Sequence, residues 1–482
     1  MKPPAILGLH DDEYERYVWD HVRTVLGLRV ETGLVVCWGT QAHSQAKAVV
    51  VVPRDGAFLD GGRELTRWAS PENAADGLAV ESGTPPVVRL EADVLSWIGW
   101  FVSRAEEYEP FHADIHGRFP RSAALAEKLG VMEQPVADCL VLRLRRAIEL
   151  AAQAARLSTR PCLPWPDGKR FAVCMTHDVD HAIGRSPWLI VRKFGAALLS
   201  LAKGDGANFR RRVSDGIGFI RGGRHSPYWL FQPMAELEAS LGIRSAFYLM
   251  PHLGETVREG DRRDNHYDLR RKDILELFRG LAAQGWELGL HTTYPAHDSA
   301  TGHHQDWQRL RDILGENVTP VGGRSHYLRF RVPETWRRSA DAGMQYDATL
   351  GWASGWGFRS GTCWPHRPFD RLAGQPISIW DLGMHIMDVA IADSDALVAS
   401  VEQLLDRARA VGGCACLLFH PCPTSTTTVG KYLRIYETVL RRIAGMADAW
   451  IATPREVIVR LEQSSFGEGS RSAAESEGVC RE

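Results

Sequence analysis

The sequence predicts an α/β fold, in which a distorted (β/α) barrel of seven or eight strands follows a smaller α+β domain. Downstream of residue 171, short apolar runs alternate with segments of helical periodicity, which is the pattern of a parallel sheet with helical crossovers. Residues 158–170 contain three prolines, too many for a helix or a central strand, so this stretch indicates a linker between two domains. Aspartate and histidine residues follow several predicted strands, where barrels of this kind carry their functional groups.

The composition is that of an ordinary globular protein. Its 482 residues are 44% hydrophobic and 24% charged, and the net charge of −2 gives no reason to expect a nucleic-acid partner. The nine cysteines are scattered without zinc-finger spacing, and several lie inside apolar runs as core residues do. Residues 1–28 lack an apolar signal core, and no apolar run approaches the roughly 20 residues of a membrane-spanning helix. We therefore expect a cytoplasmic protein.

The first domain, residues 1–157, shows mixed periodicity. Its predicted helices are 14–26, 94–108 and 136–155, and its predicted strands are 34–39 and 48–52. It has no recognisable catalytic constellation. Glu106, Glu107, Asp114 and His116 are interpreted either as a second polar site or as a domain interface.

The second domain, residues 171–463, carries the alternating pattern. The predicted strands are 171–176, 245–250, 287–290, 318–322, 344–346, 377–382, 414–419 and 449–451. The predicted helices between them include 272–284, 306–314, 333–342, 395–411 and 432–445. The remaining residues, 464–482, are rich in serine, glycine and glutamate, which predicts a disordered tail.

The end of the strand at 171–176 leads into Asp178 and Asp180, two carboxylates two residues apart. Burying such a pair without a partner is costly, so the pattern indicates a cation or a catalytic role. Asp180 and His291 are the first two predicted ligands of a divalent cation that activates water. For the third ligand, His326 at another strand end competes with His297, and both remain open. Pro295 occupies the position four residues after His291, which excludes a helical pair of histidines there.

The remaining polar strand ends suggest acid–base chemistry. Asp178 is the predicted general base, which takes a proton from the attacking water. Arg324 could keep this carboxylate ionised through a charge-assisted pair. His420 is the predicted donor of the proton that lets an amine leave. These roles rest on the whole set of residues, since a single histidine is more often structural.

Four successive motifs carry a resemblance to a known family. They are Thr176-His177-Asp178-Val179-Asp180, Gly289-Leu290-His291, Arg324-Ser325-His326-Tyr327 and Leu418-Phe419-His420. They are similar to the motifs of the NodB-type polysaccharide deacetylases, the carbohydrate esterase family 4 superfamily. Residues 103–108 and 114–119 further resemble a branch of bacterial deacetylase-like proteins with an extra N-terminal domain.

The resemblance implies a NodB-like barrel that uses Zn²⁺ or a similar ion to hydrolyse an N-acetyl group of an amino sugar, in a polysaccharide or its lipid-linked precursor. It implies the roles given above for Asp178, Asp180, His291, Arg324 and His420. It adds the backbone N–H of Tyr327 as a donor to the developing oxyanion. It also adds, through a loose match, Asp388 as the carboxylate that orients the acid.

The motifs depart from the family pattern at three positions. Val179 separates two aspartates that are usually adjacent, Pro295 interrupts the usual pair of metal histidines, and His326 stands where the family usually has proline. Three consequences stay open: a displaced third ligand, a weakly held metal, or lost catalysis. Two alternative functions follow, namely a deformylase or other C–N hydrolase of a small or lipid-linked molecule, and a non-catalytic glycan-binding protein.

Residues 185–224 form a basic insertion in the barrel, with nine Lys and Arg against two Asp among apolar residues. One interpretation is a peripheral contact with an anionic membrane, at its inner face, which would suit a lipid-linked glycan. The other is a helical insertion over the barrel mouth whose basic face is simply solvated.

Overall fold

The computed structural model describes residues 1–7, 12–39, 45–54, 62–180, 187–221, 225–227, 229–251, 264, 267–422 and 429–464. These residues form the predicted α/β fold, a curled parallel sheet flanked by helices and preceded by a smaller α+β region. The predicted tail lies outside the described residues except for Ser464, and so do residues 185, 186 and 222–224 of the insertion.

The N-terminal region is a layer of helices on a small sheet. Its elements are β1 (Ala5–Leu7), α1 (Glu13–Leu26), β2 (Leu28–Val30), β3 (Leu34–Trp38), β4 (Ala48–Val52), α2 (Gly62–Trp68), β5 (Val80–Glu81), β6 (Val87–Arg89), α3 (Val94–Val102), α4 (Leu125–Lys128) and α5 (Val136–Ala154). The sheet has the order β1-β3-β4-β6-β5, and only the β5–β6 pair is antiparallel. Strand β4 is buried along its whole length, as a run of four valines covered on both faces should be.

The predicted helix 94–108 is too long, because α3 stops at Val102. The chain turns at Arg104, whose backbone is left-handed with φ 54°, and continues as a 3₁₀ turn over Ala105–Tyr108. Arg104 is buried and pairs with both Glu106 and Glu107, so side-chain ion pairs fix the turn that ends the helix.

The segment predicted as a linker is ordered. Residues Thr159–Pro161 form β7, which pairs antiparallel with β2. Trp165 is buried, donates from its indole nitrogen to the Gly412 carbonyl at 2.7 Å and stacks on Trp364. The division of the chain into domains at residues 158–170 stays a prediction.

The barrel region alternates strands and helices. Its elements are β8 (Phe171–Val179), α6 (Pro187–Ala202), α7 (Gly206–Arg221), α8 (Phe231–Ser240), β9 (Ala246–Leu249), α9 (Lys272–Ala283), β10 (Glu287–Thr292), α10 (Gly302–Leu314), β11 (Gly322–Ser325), α11 (Glu334–Asp341), β12 (Tyr346–Asp347), β13 (Phe369–Asp370), β14 (Gln375–Pro376), β15 (Trp380–Asp381), β16 (Ile386–Met387), α12 (Ser394–Val411), β17 (Cys414–Leu418), α13 (Val429–Ala444), β18 (Ala449–Ile451) and α14 (Pro454–Gln463). Eight strands follow one another in the order β15-β12-β11-β10-β9-β8-β17-β16, all parallel, and β18 pairs with β8 beside this path.

The sheet must curl, because its two edge strands are close in sequence. A flat sheet of eight strands would separate its edges by roughly 34 Å, at about 4.8 Å for each neighbour. Only four residues lie between Asp381 in β15 and Ile386 in β16, and the five steps from one Cα to the next span at most about 18 Å. The edges therefore approach each other as in a barrel, while the hydrogen-bonded path stays open between them in the described part of the chain.

The strand predicted at 318–322 is placed too early in the sequence, since β11 covers Gly322–Ser325. Two consecutive glycines look like a strand breaker, but packing requires them here. A Cβ at Gly322 would lie 2.4 Å from the Tyr346 ring, and one at Gly323 would lie 2.2 Å from the Leu290 carbonyl. The shift puts Arg324 inside the strand instead of beyond its end.

One apolar core runs through both regions. It joins Val18 of α1 and Leu140 of α5 to Cys414 of β17. A buried ion pair reinforces the contact, since Arg359 donates to Glu107 at 2.7 Å. This pair favours the interpretation of the acidic residues 106 and 107 as part of an interface. Among the described helices, none is long and apolar enough to cross a membrane.

Candidate metal centre and active site

Strand β8 brings both carboxylates to one side of the sheet. Its nine residues are all buried, and successive side chains point to opposite faces, so Asp178 and Asp180 share a face. His177 points the other way, where its Nε2 lies 2.8 Å from Glu238 of α8. Asp178 is 3% exposed, whereas the Asp180 side chain is 25% exposed at the mouth.

Asp180, His291 and His326 form a group whose ligand atoms all lie within 4.8 Å of one another. The Asp180 Oδ1 atom is 3.2 Å from His291 Nε2 and 3.6 Å from His326 Nε2. Zinc ligands at about 2.0–2.1 Å in a tetrahedron stand roughly 3.3–3.5 Å apart. The two distances from Asp180 Oδ1 are therefore close to the separation of two ligands on one ion.

The donor atoms themselves fit a cation. The Asp180 Oδ1 and His291 Nε2 atoms are buried and have no hydrogen-bond partner among the described residues. Buried polar atoms are rarely left without a partner unless an ion or water completes them. Burial by itself would raise the pKa of Asp180, but the three surrounding histidines lower it well below its usual range. An anionic oxygen and two imidazoles are a donor set suited to Zn²⁺.

Backbone and side-chain acceptors orient the two imidazoles. The Nδ1 atom of His291 lies 3.0 Å from the Arg324 carbonyl, because the β10–β11 register sets these residues side by side. The Nδ1 atom of His326 lies 3.1 Å from Asp264 Oδ1. Each contact places the proton on Nδ1 and turns the Nε2 lone pair toward Asp180, which is the outer-shell arrangement of metal histidines.

His297 lies outside this group in the described structure. It sits in the 3₁₀ turn Tyr294–Asp298 after β10, with both ring nitrogens buried and without a hydrogen-bond partner among the described residues. Burial and then the Arg329 cation lower the pKa of His297 to about 4. Of the two alternatives for a third ligand, the structure brings only His326 to Asp180 and His291.

Arg324 crosses the barrel interior to Asp178, as predicted. Its guanidinium donates to Asp178 Oδ1 at 2.8 Å, to Thr176 Oγ1 at 3.0 Å and to the Ala348 carbonyl at 2.7 Å. Burial alone would raise the pKa of Asp178, but the Arg324 cation lowers it. The other oxygen, Oδ2, lies 3.9 Å from His291 Nε2 and is turned toward the metal group.

His420 and Asp388 meet because β16 and β17 are neighbours. The register pairs Met387 with Leu418, so the residues just beyond both strands lie together. The His420 Nδ1 atom is 2.7 Å from Asp388 Oδ1, and its Nε2 is 3.6 Å from Asp180 Oδ2. Burial would lower the pKa of His420, but Asp388, followed by Asp180 and Asp178, raises it to about 10. These carboxylates therefore favour the imidazolium form of His420.

Residues of the N-terminal region contact Tyr327 at the edge of the site. Tyr327 and Leu328 both have left-handed backbones, with φ of 58° and 53°, a conformation that costs energy in residues with a side chain. The Arg118 guanidinium donates to the Tyr327 carbonyl at 2.6 Å and to Asp114 at 2.7 Å. The His116 ring packs 4.7 Å from the Tyr327 ring. Residues of the first region thus hold the segment that carries the predicted oxyanion donor.

These groups line a cavity of about 230 Å³. Its walls include Asp178, Asp180, His291, His326 and His420, together with Arg118, Tyr327, Leu328, Met387 and Val389. The volume is below the roughly 300–1,000 Å³ of pockets that enclose a whole drug-sized ligand. The cavity therefore suits the reacting end of a larger molecule.

A second, shallower depression of about 440 Å³ lies between α12 and α13. Its charged side chains pair with each other, as Arg409 does with Asp448.

Sequence reasoning missed three residues that support the site: Asp264, Arg118 and Tyr432. The Tyr432 hydroxyl donates to Asp388 Oδ2 at 2.7 Å and so fixes the partner of His420. None of the three follows a predicted strand, and Arg118 acts on a residue 209 positions away. A signal was available only for Arg118, which belongs to the N-terminal segment that resembles the deacetylase-like branch.

Comparisons with known proteins find one family model and several solved structures of low identity. Residues 40–153 match the model of a family of unknown function, DUF7033. No protein of curated function matches the chain in sequence. Similar solved structures include a protein of Mycobacterium smegmatis described as a polysaccharide deacetylase, at 18% identity, 62% coverage of this chain, 92% coverage of that chain and a TM-score of 0.41. A Pseudomonas aeruginosa PAO1 protein described likewise has 12% identity, coverages of 64% and 96%, and a TM-score of 0.40. The PuuE allantoinase has 13% identity, coverages of 64% and 95%, and a TM-score of 0.40.

Proposed function

We propose that this protein is a metal-dependent hydrolase that removes N-acetyl groups from amino sugars of a polysaccharide or of its lipid-linked precursor. The observation that carries the proposal is the convergence of three potential ligands, Asp180, His291 and His326, between two oriented acid–base groups. Asp178 and His420 are those groups. A purely structural cluster would have no reason to hold one carboxylate ionised and one imidazole protonated around the same cavity.

Zn²⁺ is the proposed metal, and Asp180, His291 and His326 would hold it. When bound, such an ion polarises an amide carbonyl and makes water more acidic. The mixed oxygen and nitrogen donors also accept other divalent first-row metals, so a chelator-treated protein should be reloaded with several of them.

The chain's own residues supply the proton transfers. Asp178 Oδ2 accepts a proton from the attacking water, while Arg324 holds Oδ1 and the orientation of the carboxylate. On the opposite side of Asp180, His420 gives its Nε2 proton to the amine as the C–N bond breaks, and Asp388 supports the imidazolium. The backbone N–H of Tyr327 is the proposed donor to the oxyanion.

The cavity supports an amide at the end or edge of a larger substrate. At about 230 Å³ it accepts an acyl group and part of one sugar ring. Leu328 and Met387 are apolar wall residues against which a methyl group can pack. The same walls would admit a formyl group, which is why the assay should measure both acids.

Acetate and formate release from a panel of N-acetylated and N-formylated sugars and glycans tests the proposal. We expect acetate release by the zinc-loaded protein and its loss on chelation. Asp178→Asn should abolish release while the metal stays bound, and His291→Ala should lose both. Asp306→Asn is a matched control, since this buried carboxylate holds the Thr293 loop nearby without lining the cavity.

Three results would contradict the proposal in different ways. Formate release alone would favour a deformylase. Substoichiometric zinc with no turnover on any amide would favour a glycan-binding protein. Full turnover in purified Asp178→Asn would remove the proposed base.

A further inference from the structure

Helices α6 and α7 form a hairpin that packs chiefly on itself. Within it, Lys193 pairs with Asp215 at 2.9 Å, and the Phe194 ring lies so close to Gly216 that a Cβ there would be 2.9 Å away. The hairpin begins at Pro187, seven residues after Asp180, so the start of α6 lies within about 25 Å of the metal group. In the chain, the hairpin therefore follows the strand end that carries Asp178 and Asp180.

The outer face of α6 is apolar and exposed. Val191, Gly195, Leu198 and Ala202 recur at the spacing of one helix face, and all four are exposed, whereas Ala197 and Ser200 on the opposite side are buried. Val191 is 70% exposed and Leu198 65%. Six of the thirteen exposed large apolar residues in the described chain lie on this hairpin: Val191, Leu198, Leu199, Leu201, Ile217 and Ile220. Such concentration on one surface marks an interaction site.

The same hairpin is strongly basic. Residues 187–221 contain seven Lys and Arg and two Asp, a net charge of +5 by 7 − 2, in a chain whose net charge is −2. The exposed residues of α7 include Arg210 and Arg221 as well as Ile217 and Ile220. Exposed apolar and cationic side chains thus occur together on the two helices of the hairpin.

We propose that this hairpin docks on an anionic phospholipid bilayer. The apolar face of α6 enters the boundary between headgroups and acyl chains, and the Arg and Lys side chains contact the lipid phosphates. A second copy of the chain is a poorer occupant, because a two-fold contact would set a charge of +5 against +5. Nucleic acid is also a poorer occupant, because binding of its phosphates would leave the apolar side chains of Val191 and Leu198 in water. Single strands are bound by stacking of their bases on aromatic side chains, whereas the exposed face of α6 is aliphatic.

Vesicle flotation of the full chain tests this proposal without reference to catalysis. Wild-type protein should float with vesicles that contain phosphatidylglycerol and stay behind with vesicles of phosphatidylcholine alone. Lys203→Ser with Arg210→Ser should lower vesicle affinity roughly 25-fold, at about fivefold for each cation. Leu198→Ser with Leu199→Ser should abolish flotation. Leu372→Ser is the matched control, because Leu372 is 70% exposed but lies far along the chain, between β13 and β14.

Every variant should keep the wild-type melting temperature, since the replaced side chains are exposed. Three outcomes would overturn the proposal: a wild-type protein that does not float, a Leu198→Ser/Leu199→Ser variant that floats like wild type, and a solution dimer that these substitutions dissociate. Binding of vesicles by a protein without hydrolase activity would leave the docking surface intact and count only against the proposed reaction.

Discussion

Removing the Asp264 carboxylate should weaken metal binding about 10–100-fold. Asp264 Oδ1 accepts from His326 Nδ1 at 3.1 Å and from the Tyr294 backbone nitrogen at 2.6 Å. Without this acceptor, the His326 ring can rotate or move its proton to Nε2, where it would block the lone pair that faces Asp180. The expected loss corresponds to about 1.4–2.7 kcal/mol of binding free energy. Competition of Asp264→Ala against a zinc-binding indicator measures it directly.

Asp306→Ala is the matched control for this experiment. Asp306 is buried like Asp264 and accepts a hydrogen bond from the backbone nitrogen of Thr293 at 2.7 Å. The next backbone nitrogen, that of Tyr294, donates to Asp264. It therefore supports the same loop without contacting His326. Equal loss of zinc affinity in both variants would mean that loop order matters and His326 orientation does not. Wild-type zinc affinity in a folded Asp264→Ala protein would show that Asp264 does not orient His326 for metal binding.

Three further perturbations have defined outcomes. Arg118→Ala should lower kcat roughly tenfold or more with metal content unchanged, because a charge-assisted hydrogen bond to the Tyr327 carbonyl is worth about 1.5–3 kcal/mol, and Arg118→Lys should restore part of it. Asp388→Asn should move the alkaline limb of the pH profile of kcat/KM to lower pH, because the lost carboxylate favours the protonated form of His420. Burial raises the pKa of Asp138 to about 7, so the folded chain binds a proton that the unfolded chain releases, and stability falls as the pH rises from about 5 to about 7. Asp138→Asn should reduce this fall in the free energy of unfolding by about 1.4 kcal/mol for each pH unit. Urea unfolding at pH values of about 5 and about 7 measures the difference.

The sequence was most informative where apolar strands lead directly into polar residues. Asp178, Asp180 and His291 could be paired from sequence because parallel strands end at one edge of a sheet. Arg324 contacts Asp178 as the sequence predicts, although its strand was predicted three to four residues too early. The assignment survived because an arginine side chain is long enough to reach across the barrel from either position.

The parts that sequence could not supply depend on contacts between distant segments. Asp264 reaches His326 across 62 residues, from a stretch with neither strand nor helix periodicity. The choice between His326 and His297 also depended on the fold, because it is set by the direction in which the chain leaves β10 and β11. The contact of the N-terminal region with the site could not be predicted either, because Arg118 and Tyr327 lie in two turns far apart in the sequence.

Metal content of the purified protein shows whether Asp180, His291 and His326 bind one ion. The chain should bind one equivalent of Zn²⁺, and Asp180→Ala, His291→Ala and His326→Ala should each lose it, while His297→Ala keeps it. Elemental analysis after dialysis against a weak chelator gives the stoichiometry without any substrate. Retention of a full equivalent by His326→Ala together with its loss from His297→Ala would show that His326 is not the third ligand, and a wild-type protein that binds no divalent metal would rule out the metal site.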